Sequence, residues 1–166
     1  VLRHLNLENA TIVANAYEHY TGHNTQDNKF PGYGLYNCKL FSLTFPKNIT
    51  SVGTNGVANN TYLSEVTLFE GVTTIDDYAF SECVYLETIT IGNGVETIGE
   101  DAICEEKLHH VLYTGTEAQW NAISIDDTNE LTDVIIHYNC TGNEIDEDGT
   151  CSACNPCAAG HDYQKK

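Results

Sequence analysis

The residues with the most chemical potential crowd into the C-terminal stretch. Cys140, Cys151, Cys154 and Cys157 are followed by His161. Two residues between thiols let both turn toward one centre, which suits a tetrahedral zinc ion about 2.3 Å from each sulfur. These cysteines form one clustered run rather than two separated pairs, however. In an exported chain such a run is oxidised, so disulfides or mixed thiols are preferred, with zinc on Cys140, Cys151, Cys154 and Cys157 as the alternative. The nearby Asp146-Glu147-Asp148-Gly149 echoes the start of a calcium loop, but Asn155 stands where the closing acidic ligand belongs. A solvated acidic linker is the better reading.

Elsewhere the chemistry thins out. His109 and His110 are adjacent, so on a strand they point to opposite sides and suit a plain surface pair better than two ligands of one metal. Cys38 and Cys83 stand singly and are expected to pack as small buried hydrophobes. No nucleophile with a matched base, glycine-rich phosphate loop or pair of carboxylates in a plausible cleft can be read, which argues against an enzyme. Cofactors are accordingly expected to be none, apart from the zinc alternative in the tail.

Charge narrows the partners. Seven Lys and Arg against 24 Asp and Glu give a net charge of −17 in 166 residues. Nucleic acid needs clustered basic side chains to displace phosphate counterions, so it is disfavoured. Anionic lipid is disfavoured for the same reason. No stretch approaches the ~20 apolar residues of a membrane span, so no membrane insertion is expected of this segment. The chain begins at Val1 rather than Met and reads as a piece of a longer protein.

The elements that must position any site come from a repeat. A Leu-x-x-aliphatic-x-apolar phrase occurs six times, led by Leu2, Leu40, Leu63, Leu86, Leu108 and Leu131, at intervals of 38, 23, 23, 22 and 23 residues. A return segment keeps step as Ile49/Val52, Val72/Ile75 and Val95/Ile98, followed by Val57, Phe80 and Ile103. Such a unit buries its apolar side only by stacking on its neighbours. Val66-Thr67-Leu68 and Ile89-Thr90-Ile91 alternate with period two, hence one short strand per coil and a parallel sheet along one face. Tyr78-Ala79-Phe80-Ser81-Glu82 reads as a single helical or 3-10 turn that packs Phe80 inward. The first interval holds about fifteen extra residues, an Asn-, Gly-, Tyr- and His-rich inserted loop at about 14–34. The last coil, about 108–139, replaces the return segment with TGTEAQWNAI, where Thr116 and Gln119 fit a capping box ahead of a short helix. The apolar pattern stops near residue 139. The expected organisation is therefore a solenoid over 1–139 and a Cys-rich acidic tail or linker over 140–166. Its fold class is an α/β solenoid of about 23-residue repeats, β-dominated, with a parallel sheet on one face and short helical turns opposite.

The phrases GVTTIDDYAFSECVYLETITI, GVETIGEDAI and LYNCKLFSLTFPKNITSVG, with YTGTEAQWNAISI and VIIHYN as closing coil, resemble the BspA-like leucine-rich repeats of bacterial and protist cell-surface proteins. The resemblance spans residues 1–139. It implies an extracellular or cell-surface setting and adhesion to a protein or glycan on a host or microbial surface. It brings no catalytic motif. The sequence departs from the family at Gly53–Asn60, where GTNGVANN replaces the usual Gly-x-x-Ala-Phe-x-x-Cys, and at Cys104.

If alternate strand residues face inward, the others form the outer sheet face. Thr44, Thr67 and Thr90 should then stack as a ladder. Phe69, Leu112 and Ile135, with Thr67, Thr90 and His110, form the expected contact surface, rimmed by Glu65 and Asp133 and suited to a cationic partner. The alternative is a structural spacer that projects another domain of a longer surface protein.

Overall fold

A computed structural model describes residues 3–12, 28–103 and 106–140. The expectations for most of the inserted loop, for Cys104, and for Cys151, Cys154, Cys157 and the acidic run lie outside these residues.

The elements are short, as the two- and three-residue alternations require. Along the chain they are β1 (His4–Asn6), β2 (Lys29–Phe30), β3 (Ser42–Thr44), β4 (Ser51–Val52), β5 (Glu65–Thr67) and β6 (Thr74–Ile75). Then come β7 (Thr88–Ile91), β8 (Thr97–Ile98), β9 (His110–Tyr113), helix α1 (Glu117–Trp120), β10 (Ser124–Ile125), two 3-10 turns (Asp127–Asn129 and Leu131–Asp133) and β11 (Ile135–His137). All pairings are parallel. The repeat-leading strands form a six-stranded sheet in the order β1-β3-β5-β7-β9-β11. The return segments form a second sheet, β10-β8-β6-β4-β2, on the opposite side of each coil. The chain is thus a parallel β-solenoid with a repeat of about 23 residues and little helix.

Inward positions build one continuous core. Leu63, Val66, Leu68, Leu86, Ile89 and Ile91 are all buried, as the alternation predicts, and so are Val52, Ile75 and Ile98 from the second sheet. Between the sheets Phe45 meets Phe30 edge-on at 4.9 Å and Phe80 at 6.1 Å between ring centroids. At the ends of the stack Leu5, Leu7, Val134 and Ile136 are only partly covered.

The third side of each coil is a run of tight turns, and residues 78–82, expected as a helical or 3-10 turn, are neither, because Tyr78 and Glu82 take left-handed backbone. Phe80 packs fully inward there. Left-handed residues recur once per coil at two places, Tyr33/Asn55/Tyr78/Asp101 and Asn37/Asn59/Glu82. Asn tolerates this region better than most residues because its short side chain bonds locally. Backbone bonds link these turns coil to coil, with the Val57 N–H donating to Ala79 O at 2.9 Å and the Phe80 N–H to Ala102 O at 3.0 Å.

Single polar residues plug the turns. Cys83 is buried and its thiol donates to Val57 O at 3.5 Å. In the preceding coil Asn60 takes the same place, in the stretch where the family pattern lapses. Its amide donates to Leu35 O and Val57 O at 2.8 and 2.6 Å and accepts from the Leu40 N–H at 3.1 Å. Asn129 repeats the device in the closing coil through Gly99 O, Asp126 O and the Ile103 N–H. Cys38, expected to be buried, is exposed, with its thiol turned to its own coil's Tyr36 O at 3.7 Å. It lies in the first described turn, so no described turn covers it from outside.

The closing coil carries the expected helix. Thr116 caps α1 through the Gln119 N–H, and the Gln119 side chain accepts from the Thr116 N–H. Trp120 is buried edge-on against Tyr113 at 5.2 Å.

Candidate functional site

The outer face of the six-stranded sheet has two rows of side chains. One row runs His4, Ser42, Glu65, Thr88, His110, Ile135; the other Asn6, Thr44, Thr67, Thr90, Leu112, His137. The Thr44–Thr67–Thr90 ladder is in register as expected.

The apolar anchors are not. Leu112 points outward yet is only 1% exposed. It lies between Thr90, 9% exposed, and His137, 2% exposed, so this end of the face is closed over. Strand parity gives direction, and neighbouring side chains decide exposure. Ile135 pairs with His110 rather than Leu112, so it is half-buried in the other row. Phe69 is half-buried as well, with the Lys47 ammonium 5.2 Å from its ring centre and Lys47 also paired with Glu8. Asp133 sits in a 3-10 turn ahead of β11, off the sheet face. Thr67, Phe69, Thr90, His110, Leu112 and Ile135 therefore make no continuous exposed patch. Cys140 is buried at the end of the closing coil, where its N–H donates to Tyr113 O at 3.0 Å.

Exposed aromatics lie instead along the edge where the chain enters this sheet. Phe41 stacks on Tyr62 at 5.6 Å and 8°, and Tyr62 on Tyr85 at 6.4 Å and 14°. Cations close both ends: Arg3 lies 5.1 Å over Phe41 and Lys107 4.1 Å over Tyr85. The stripe stays wet, with Tyr62 52% and Tyr85 44% exposed and Val84 beside them also exposed. Tyr62, Tyr85 and Lys107 each immediately precede a repeat-leading leucine, a signal present in the sequence. On the turn side Tyr33 and Tyr36 form a further exposed pair, 5.5 Å apart, each hydroxyl accepting from an asparagine amide, Asn55 or Asn59.

The Tyr78 hydroxyl donates to Glu100, which pushes its pKa up to about 12, with burial and the nearby carboxylates adding to the effect. Asp76 borders an open groove over β2, β4 and β6 with Lys29, Ser51 and Thr74; burial and then Asp77 raise its carboxyl, against the pull of Lys29. Burial lowers the His110 imidazole, His109 adds to that, and Glu87 opposes it. Among the described residues no group of three or more His, Cys, Asp or Glu converges on a metal-sized point, and no helix is long and apolar enough to cross a membrane.

Against known proteins, the BspA-type leucine-rich repeat region matches in six copies over residues 28–147. Among solved structures, a leucine-rich repeat protein of T. pallidum is 21% identical with a TM-score of 0.46, over 64% of this chain and 43% of that one. A leucine-rich cell surface protein of Faecalibacterium prausnitzii is 26% identical with a TM-score of 0.36, over 53% of this chain and 30% of that one. The match spans less than half the length of either. No curated protein matches.

Proposed function

The chain belongs to the BspA-type leucine-rich repeat family, and on that premise we propose that its solenoid is a recognition module that binds a protein partner at a cell surface. The observation that carries this reading is the aromatic stripe Phe41–Tyr62–Tyr85, which spans three coils, with Tyr62 and Tyr85 one repeat apart and exposed and half-buried Phe41 stacked against Tyr62. Stacked tyrosines offer large rigid contact area with a polar rim, at little cost in side-chain entropy. Their ring faces are taken up by one another and by Arg3 and Lys107. Edges and hydroxyls are what a partner meets, which favours a protein over a sugar ring that needs an open aromatic face.

The test is adhesion of the full chain to immobilised matrix proteins and to whole cells. A Tyr62→Ser/Tyr85→Ser variant is expected to keep the parent's circular dichroism and melting temperature and to lose adhesion. Removing a central aromatic anchor typically costs about 2 kcal/mol or more of binding energy. A folded double variant that adheres like the parent removes the stripe from the contact. A parent that adheres to nothing leaves the spacer reading in possession.

A further inference from the structure

Two asparagines of the chain are followed by glycine and then valine, in Asn55-Gly56-Val57 and Asn93-Gly94-Val95. The carbonyl carbon of an asparagine amide is an electrophile, and the next backbone nitrogen is a nucleophile tethered beside it. Glycine, lacking a Cβ, lets that nitrogen approach most easily. The shared sequence gives both pairs the same intrinsic chemistry, so the fold decides between them.

The first pair is held shut. Gly56 is buried, and its N–H donates to Gly53 O at 2.8 Å. The Asn55 amide is tied down as well, donating from Nδ2 to the Tyr33 hydroxyl at 3.3 Å. The second pair is open. Asn93 is exposed and shares with Gly94 the centre of a turn, which the Val95 N–H closes by donating to Gly92 O at 3.3 Å. Among the described residues neither the Asn93 side-chain amide nor the Gly94 N–H has a hydrogen-bond partner. We propose that Asn93 is a self-modification site, where the chain converts its own asparagine to aspartate and isoaspartate and so loosens the contact between coils.

In the first step the Gly94 nitrogen bonds to Asn93 Cγ, the Cγ–Nδ2 bond breaks, and ammonia leaves with the Gly94 amide proton. A five-membered imide remains. Water then adds to either imide carbonyl. Breaking the new bond gives aspartate. Breaking the original peptide bond gives isoaspartate, whose main chain runs through the side-chain methylene. The sum consumes water and releases ammonia, with no oxidant or reductant.

The place makes the products consequential. At Gly94 the preceding coil is so near that an added methyl would overlap Glu70 O. On the other side the Asn93 N–H donates to Thr114 Oγ1 at 2.9 Å, and a methyl on Gly115 would lie 2.9 Å from Asn93 Cβ. Isoaspartate lengthens the main chain where neither neighbouring coil leaves room. Either product also adds a negative charge one repeat after Glu70, in a chain already at −17. This chemistry is independent of the aromatic stripe and its partner.

The experiment incubates the folded full chain at mildly alkaline pH. Both sites are followed by mass spectrometry after cleavage at glutamate, which puts Asn55 and Asn93 in separate peptides. In the folded chain Asn93 is expected to deamidate about 10-fold or more faster than Asn55, because the Gly56 N–H must first be released from its bond. In denaturant the two rates should converge. Electron-transfer fragmentation should find isoaspartate in place of Asn93. The aged chain should melt below the fresh one, a drop absent in a folded Asn93→Gln variant. The parent time course stands even where the variant fails to fold. Deamidation of Asn55 as fast as that of Asn93 in the folded chain, a rate difference that persists in denaturant, no isoaspartate, or a modified chain that melts like the fresh one overturns the proposal.

Discussion

Individual side chains in this fold work by closing the small polar gaps a coil leaves behind. Asn60 satisfies three backbone groups at once, the bonds to Leu40 and Val57 buried and that to Leu35 partly so. Asn60→Ala orphans the buried Leu40 N–H, removes the amide donor to Leu35 O and leaves Val57 O with the Cys83 thiol, and leaving a buried polar group unpaired costs about 1–3 kcal/mol. Chemical denaturation should show a loss of that order with an unchanged m-value. Tyr78 makes a pH-dependent contribution whose sign follows from its direction of shift. The fold holds its phenol protonated, so the stabilisation is complete below the unfolded value of 10.0 and is lost as pH climbs through about 12. Tyr78→Phe should abolish that part of the alkaline decline, and the phenolate absorbance titration should lose a step near 12. Neither role was legible in the sequence. Asn60 stands where a cysteine was expected, and only the stacked turns reveal the three backbone groups it meets. The Leu112 error is of the same kind, because exposure belongs to the neighbours Thr90 and His137 rather than to the residue.

Strands and turns were more legible, because period and spacing are properties of single elements. Leu43, Val66, Ile89 and Val111 align at intervals of 23, 23 and 22, and the pairings follow them. The last strand departs. Continuing the leucine interval pairs Val134 with Val111, whereas Ile136 is the residue that pairs there, two positions on. The 3-10 turns at Asp127–Asn129 and Leu131–Asp133 consume chain that earlier coils give to the return sheet and its turn. A shift of two preserves which face each side chain takes. It changes the partners, however, and so it separates Ile135 from Leu112 and brings His137 to His110. Close coil-to-coil approach also sets local requirements. At Gly94 an added methyl would lie 1.9 Å from the Glu70 carbonyl oxygen, a backbone atom that cannot swing aside. Gly94→Ala should therefore destabilise the protein by more than the ~0.5 kcal/mol within which surface changes usually fall, visible as a drop in melting temperature. A parent-like melting temperature would mean that the coils can slide apart at little cost.

At the scale of the whole molecule, the fold was legible and the pattern of exposed side chains was not, for one physical reason. A solenoid repeats its core requirement in every coil, so the sequence states it several times. A surface is stated once per position and is subject to whatever packs beside it. The aromatic stripe did leave a trace, the residue before each leading leucine, but only stacking shows Phe41 leaning over to join Tyr62. Net charge is the other whole-molecule property that composition reports directly. In a chain of net charge −17, stacking coils at strand spacing brings like carboxylates together along the axis, and their repulsion opposes the folded stack more than the expanded chain. Salt should relieve it. Raising ionic strength from about 0.01 to about 0.15 M shortens the screening length from about 30 to about 8 Å. That removes repulsion between coils more than it weakens the lone described surface pair of Lys47 and Glu8. The melting temperature should therefore rise with sodium chloride across this range, without any specific ion. A flat or falling curve would mean that the carboxylates are already neutralised within the fold.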